Sequence, residues 1–195
     1  MGISDYSGPR YKIVLIGDGG VGKTALMERI QGYGFKSIYN ITIGANISVT
    51  DISVEDRLYK FQIWDLAGQK RFIAVRGMFY RGSHAAILVY DQSRQESFNN
   101  LERWKRELYT KVRQKIPILI IGNKNDLKKN DVPRELLQNY IKKCNSEYKA
   151  EKIKYEVPFL STSALTGNNV NFSIEVLASC IRSYVENNEI ILRLR

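Results

Sequence analysis

Tyr11-Lys12-Ile13-Val14-Leu15-Ile16 runs directly into Gly17-Asp18-Gly19-Gly20-Val21-Gly22-Lys23-Thr24, and this junction decides the fold. The run Tyr11–Gly17 reads as a buried strand, and Lys23–Gln31 beyond the glycines reads as a helix. GxxxxGK followed by threonine, set between a strand and a helix, is the pattern of a turn that cradles phosphates. Its glycines let successive N–H groups point at phosphate oxygens, and the positive end of the following helix adds to the attraction. Gly19, Gly20, Val21, Gly22, Lys23, Thr24 and Ala25 are therefore the candidate residues for a nucleoside triphosphate. Lys23 is expected to neutralise the outer phosphates, and the Thr24 hydroxyl to ligate Mg²⁺.

Working outward, short β-branched runs alternate with helical stretches. Ile47–Val54 and Leu58–Asp65 flank Glu55-Asp56-Arg57 and predict a β-hairpin. Ala85–Tyr90 and Pro117–Gly122 are continuous apolar runs, as central parallel strands require, and Pro158–Thr162 is a last, shorter one. Ser93-Arg94-Gln95-Glu96 has capping-box spacing and predicts one long helix to about Gln114. Pro133 suits the first turn of a helix ending near Cys144, leaving Asn145–Val157 as a long link. Phe172, Val176, Leu177, Ala178, Cys180, Ile181 and Tyr184 give Val170–Glu186 a docking face. The sum is an α/β fold, a three-layer, six-stranded, mostly parallel sheet with about five helices.

Composition agrees with one domain spanning 1–195. Apolar residues are 44% and charged residues 26% of the 195, which excludes a disordered or collagenous chain. No apolar run approaches a membrane span, and Met1–Tyr11 is too polar for a signal peptide. Cys144 and Cys180, without a CxxC pair, predict free thiols and a cytoplasmic location. The net charge is +10, of which residues 101–195 carry +7. That excess suits nucleic acid, an anionic membrane surface or plain solvation.

Two further motifs carry chemistry. Asp65-Leu66-Ala67-Gly68-Gln69 ends the hairpin's second strand; the Asp65 carboxylate can hold Mg²⁺ through water, and the Gly68 amide can meet a γ-phosphate. Asn123-Lys124-Asn125-Asp126 follows a central strand, and the Asp126 carboxylate can accept from both N1–H and the 2-amino group of guanine. Adenine lacks both donors, and a site that leaves a buried group unpaired rejects the wrong base strongly.

The order GDGGVGKT, TIG at Thr42–Gly44, WDLAGQ, NKND and TSA at Thr162–Ala164 resembles the Ras superfamily of small GTPases. TIG, WDLAGQ and FYRGSHAAILVYD at Phe79–Asp91 are most similar to its Rab branch. The resemblance implies a P-loop G domain that cycles between GTP and GDP with Mg²⁺, hydrolysing GTP slowly. Thr42 would bind Mg²⁺ and the γ-phosphate, alongside Thr24 and Asp65. Phe35 would cover the guanine face and Tyr39 the phosphates. Ser163, Ala164 and Leu165 would brace the base, the Ala164 amide donating to its carbonyl oxygen. Gln69, with the Thr42 carbonyl, would orient the attacking water while Lys23 stabilises charge. No arginine stands out as a built-in finger, and Arg71 and Arg76 are expected on the surface.

The resemblance also implies effector, exchange-factor and GTPase-activating proteins binding near 36–47 and 66–80, and a monomer. A weak contact of the basic C-terminal half with an anionic membrane is a further expectation; nucleic acid is not an expected partner. The alternatives are a GTP-loaded scaffold with little hydrolysis and a nucleic-acid-associated GTPase. Four features depart from the Rab pattern: Lys70 in place of glutamate, Leu165 in place of lysine, the long link 145–157, and an end at Arg195 without a prenylatable cysteine. Tyr6 breaks the myristoylation pattern, so these residues carry no lipidation motif: either the native chain continues past Arg195 or the protein lacks a lipid anchor.

Overall fold

The computed structural model describes residues 10–35, 42–54, 57–69 and 72–193. Three apolar strands form its middle: β1 (Arg10–Ile16), β4 (Ala85–Asp91) and β5 (Ile118–Asn123). Side chains alternate across a strand, so each of these feeds two cores. Ile13 and Leu15 pack with Ile63, Ile87 and Leu119 beneath α1 (Lys23–Ile30) and α6 (Val170–Arg193). Val14 and Ile16 pack with Leu88, Ile118 and Ile120 on the opposite face. There they meet α4 (Leu101–Val112) and α5 (Arg134–Ala150). Each such side chain, once buried, is worth about 1.5–3 kcal/mol, which is why the continuous runs take the centre.

β2 (Ala45–Val54) and β3 (Arg57–Leu66) form the expected antiparallel hairpin, and β6 (Phe159–Ser161) is short. The order is β2-β3-β1-β4-β5-β6, with every pair except β2–β3 parallel. β1 has β3 as its neighbour on one side and β4 on the other, so the strand order reverses about it. A crevice therefore opens at the carboxyl end of β1, where ligands of such sheets bind.

Three local expectations are corrected. The helix after Ser93 is two helices, α3 (Gln95–Asn99) and α4, broken at Asn100. Ser93 does not cap it: its hydroxyl donates to Asp91 Oδ1 at 2.7 Å, while Ser97 Oγ takes the carbonyl of Arg94, the N-cap residue. A carboxylate is the stronger acceptor, and it draws Ser93 back to the strand end. Counting 95–112 as one interrupted helix, with α2 (Ile73–Phe79), gives five. α5 continues six residues past Cys144, because buried Tyr148 anchors the extra turns through its hydroxyl to the Ile116 carbonyl. Phe172 points outward, 51% exposed, and Val170 and Ile174 take its expected place in the core.

The rest of the long link is tied down. Asn145 Oδ1 accepts from the Val157 amide at 2.8 Å. Asn188, 2% exposed, interrupts α6 and brackets Lys154: its Oδ1 accepts from the amide at 2.8 Å and its Nδ2 donates to the carbonyl at 3.1 Å. Asn188→Ala strands both backbone groups and is expected to cost about 1–3 kcal/mol in chemical denaturation.

The single histidine closes the foot of the sheet. His84 Nδ1 accepts from the Lys12 amide at 2.9 Å, and the His84 amide returns a bond to the Lys12 carbonyl at 2.8 Å. Burial, then the Lys12 charge, holds its pKa below the ordinary 6.5. A depressed histidine favours the fold above its unfolded pKa, and that contribution is lost as pH falls through the folded value. Stability is expected to decline from pH 7 to 5, and the decline to shrink in His84→Gln; an imidazole titrating at or above 6.5 by NMR contradicts this.

Candidate functional site

The loop leaving β1 closes around its own lysine. Lys23 Nζ is buried and donates to the Gly17 carbonyl at 2.9 Å and the Asp18 carbonyl at 3.0 Å. Burial lowers its pKa to about 8; Asp65 and Asp18 oppose the fall, and Arg76 and Arg94 add to it. Anionic phosphate would favour the charged form. Two glycines are dictated by space. Gly22 has φ +96°, and a Cβ there would stand 2.3 Å from Asn123 Nδ2. At Gly68 a Cβ would meet the Asp18 and Gly17–Gly19 backbone at 2.5–2.6 Å. The loop after β3 thus lies directly on the phosphate turn.

Three oxygens meet beside it. Thr24 Oγ1 donates to Asp65 Oδ2 at 2.5 Å, and Thr42 Oγ1 stands 3.0 Å from Thr24 Oγ1 and 3.4 Å from Asp65 Oδ2. Asp65 is fully buried, and its Oδ1 has no hydrogen-bond partner among the described residues. Burial pushes its carboxyl pKa up, against the pull of Lys23 and the two threonines. An orphaned buried carboxylate oxygen beside two hydroxyls is a hard, all-oxygen donor set. It fits Mg²⁺, which takes one or two carboxylates and leaves its other positions to water and phosphate.

The far end of the crevice comes from β5 and the turn after β6. Asn123 Nδ2 donates to the Val21 carbonyl at 2.9 Å, and its Oδ1 accepts from Thr162 Oγ1 at 3.2 Å and the Ala164 amide at 3.1 Å. The Ala164 amide, expected on a guanine oxygen, is therefore already engaged, and an incoming carbonyl would share or replace that bond. Ser163 Oγ donates to Asp126 Oδ1. Lys124 takes φ +67°, and its Nζ meets Asp91 Oδ2 at 2.7 Å. Burial alone would raise the Asp91 pKa, but the bonds from Lys124 and Ser93 outweigh it and hold it low. Leu165 and Phe35 are exposed at 47% and 43%. Tyr39, Lys70 and Arg71 lie outside the described residues.

Gln69 flanks the phosphate turn: a Cβ on Gly19 would lie 3.7 Å from its Cγ. Beneath it the expectation for Arg76 is overturned. Arg76 is 2% exposed, bidentate to Glu107 at 2.7 and 2.8 Å, and its Nη1 donates to the Ala67 carbonyl at 2.9 Å and the Gln69 carbonyl at 3.4 Å. It lies over the Trp104 ring at 4.1 Å, and Trp104 Nε1 in turn donates to Asp18 Oδ1 at 2.8 Å. Asn100, the N-cap of α4, and Arg103, Trp104 and Glu107 on the helix form one stripe, joining the phosphate turn to the Gln69 loop. The ion pair with Glu107 draws Arg76 inward, a partner 31 residues away that spacing cannot show.

The sequence reading also missed Asp18, Asp91 and Arg29. Asp18 occupies a free position of the motif, Asp91 pins Lys124, and Arg29 holds the carbonyls of Ala164 (2.9 Å) and Leu165 (2.5 Å). Arg29 follows Thr24 by five residues on α1, which is the only sequence sign of its reach.

Sheet order, phosphate turn and oxygen cluster together define a P-loop nucleotide-binding domain. The sequence pattern of the Ras family matches residues 12–183. The chain is similar to the GTP-binding protein YPTM2 of Zea mays, 35% identical over 88% of this chain and 80% of that protein. It is likewise similar to the Ras-related protein Rab7 of Drosophila melanogaster, 36% identical over 86% and 78%. The Ras-related protein rab-11.1 of Caenorhabditis elegans is also 36% identical, over 92% and 81%. The chain belongs to the Ras family, near its Rab branch: it is a small GTPase, a molecular switch that binds GTP and GDP with Mg²⁺ and hydrolyses GTP.

Arg76→Ala removes the charge partner of the Glu107 carboxylate and leaves it only the Tyr80 hydroxyl among the described residues, and chemical denaturation is expected to show a loss of about 3–5 kcal/mol. Glu107→Gln, which still accepts from Arg76, is expected to cost clearly less.

Proposed function

We propose that the residues assembled at the carboxyl edge of the sheet divide the work of the switch as follows. Gly19 to Ala25 hold the phosphates, with Lys23 supplying charge. Thr24, Thr42 and Asp65 would hold Mg²⁺, which would supply positive charge against the phosphates. Asn123, Lys124, Asp126, Ser163, Ala164 and Leu165 hold the guanine, Phe35 covers it, and Tyr39 covers the phosphates. The Gly68 amide meets the γ-phosphate, and Gln69 orients the attacking water with the Thr42 carbonyl. The single observation that carries this reading is the convergence of the Thr24 and Thr42 hydroxyls, from positions up to 41 residues away, on the buried Asp65 carboxylate, whose Oδ2 they meet and whose Oδ1 has no partner among the described residues.

Catalysis is then positioning and electrostatic stabilisation, without a covalent nucleophile on the protein. With γ-phosphate bound, Thr42 and Gly68 order the loops near 36–47 and 66–80; after hydrolysis these contacts are lost. Partners meet the chain there. Ile47 pairs with Trp64 across the hairpin, and the Trp64 ring lies 5.8 Å from that of Phe79. Ile43, Ile47, Ile73, Val75 and Met78 are all exposed around that line. An apolar patch of this kind marks a protein-binding surface. A role in membrane traffic follows the naming of the Rab relatives, and similar identities to Rab7 and rab-11.1 favour no one branch among them.

The protein acts as a monomer in the cytoplasm and at anionic membrane surfaces, where the basic C-terminal half makes a weak contact. No described helix is long and apolar enough to cross a membrane.

Single-turnover hydrolysis by the isolated protein is expected well below the roughly 1–100 per second of kinases. Gln69→Leu is expected to slow it further at unchanged GTP affinity, and Asp65→Ala to abolish the Mg²⁺ dependence of nucleotide retention. Unchanged turnover in the first variant removes Gln69 from the mechanism.

A further inference from the structure

Arg94 is an exposed arginine that reaches across the chain to the phosphate turn. It is the N-cap residue of α3, and its Nη2 donates to the Gly19 carbonyl at 3.0 Å, 75 residues away in sequence. Gly19 is the same residue whose open side faces the Gln69 side chain. The backbone under Arg94 is fixed: its amide donates to the Asp91 carbonyl at 3.0 Å, and its carbonyl accepts from the Ser97 amide at 3.0 Å. A long, exposed side chain therefore stands on a hydrogen-bonded turn, at the edge of the site where Gln69 lies.

The other cations at the turn are committed, Arg103 to Asp18 at 3.1 Å. Lys23 is held by the Gly17 and Asp18 carbonyls, and Arg76 is locked to Glu107. Arg94 is held only by a neutral carbonyl and forms no ion pair among the described residues. Its charge is close enough to lower the Lys23 pKa. A guanidinium carries five N–H donors in a planar fork that matches phosphate oxygens. An uncompensated arginine at this edge is matched to charge that develops on a transferring phosphoryl group.

We propose that Arg94 is a built-in catalytic arginine of GTP hydrolysis, moving from the Gly19 carbonyl onto the γ-phosphoryl oxygens in the transition state. The water oxygen forms its bond to Pγ as the bond from Pγ to the bridging oxygen breaks. The electron pair of that bond stays on the β-phosphate of GDP, one water proton goes to solvent, and the other leaves on inorganic phosphate. Arg94 takes up no proton and supplies only charge and hydrogen bonds. An arginine contributed by a partner protein is worth about 10³–10⁵-fold; one that remains open to solvent contributes less. The inference rests on the reading of Gly19 and Gln69 as the hydrolysis edge.

The test is single-turnover hydrolysis of Mg²⁺–GTP by the full chain and by Arg94→Ala, Arg94→Lys and Gln69→Leu. GTP and GDP affinities are measured in parallel. Arg94→Ala is expected to be roughly 10- to 100-fold slower with both affinities within about threefold of wild type, and Arg94→Lys intermediate. GDP with aluminium fluoride and Mg²⁺, a mimic of the transferring phosphoryl group, is expected to bind the wild type without an activating protein and to be lost in Arg94→Ala. If Arg94→Ala hydrolyses GTP normally while Gln69→Leu is slow, the role of Arg94 is overturned and the site reading stands. If both hydrolyse normally, the site reading itself fails. A loss of GDP affinity as large as the loss of rate would make Arg94 a ground-state binding residue and also overturn the proposal.

Discussion

The side chain of Asn123 holds the two halves of the nucleotide crevice at a fixed separation. It leaves the end of β5 and bonds Val21 in the phosphate turn through one atom, and Thr162 and Ala164 in the base turn through the other. All of its partners are buried, so replacing it would strand donors and acceptors that water cannot reach. The same atoms explain Gly22, where a side chain would collide with Asn123 Nδ2. Motifs about a hundred residues apart are thus geometrically one object. Neither the phosphate grip nor the base pocket can shift without disturbing the other.

How much of this was legible in the sequence depends on how local the physics is. The strands were legible because a parallel sheet covered on both faces demands uninterrupted apolar runs, and Ala85–Tyr90 and Pro117–Gly122 are such runs. The phosphate turn and the oxygen cluster were legible because their residue types are fixed by chemistry at fixed places on the sheet. Arg76 was not. It lies in a segment that reads as exposed, and it is buried only because Glu107 on α4 offers a bidentate partner there. The extra turns of α5 were hidden for a similar reason, since Tyr148 earns its place through a carbonyl on the far side of the core. Ser93 shows the converse: a correct local signal was outbid by the neighbouring Asp91 carboxylate.

α4 has a larger part than a covering helix needs. Its stripe of Asn100, Arg103 and Trp104 converges on Asp18, while Glu107 one turn on grips Arg76 and, at 3.0 Å, the Tyr80 hydroxyl. The phosphate turn and the Gln69 loop therefore share one rigid support. A change in the Gln69 loop that moved Arg76 would press on Trp104, and through it on Asp18. Such a shared element is a physical route by which the partner binding proposed near 66–80 would alter nucleotide retention, because both sites would bias the same packed helix.

Lys23, Arg76 and Arg94, three cations at the phosphate turn, are therefore not equivalent. A buried guanidinium locked to a carboxylate, as in Arg76, contributes a constant field: it shapes the ground state and the transition state alike. Lys23 is close to that limit, since its Nζ is already held by two carbonyls. Only interactions stronger in the transition state than in the ground state accelerate a reaction. Such an interaction needs a charge that can move or that meets its partner late. Arg94, exposed and attached to a neutral carbonyl, is the one of the three with that freedom.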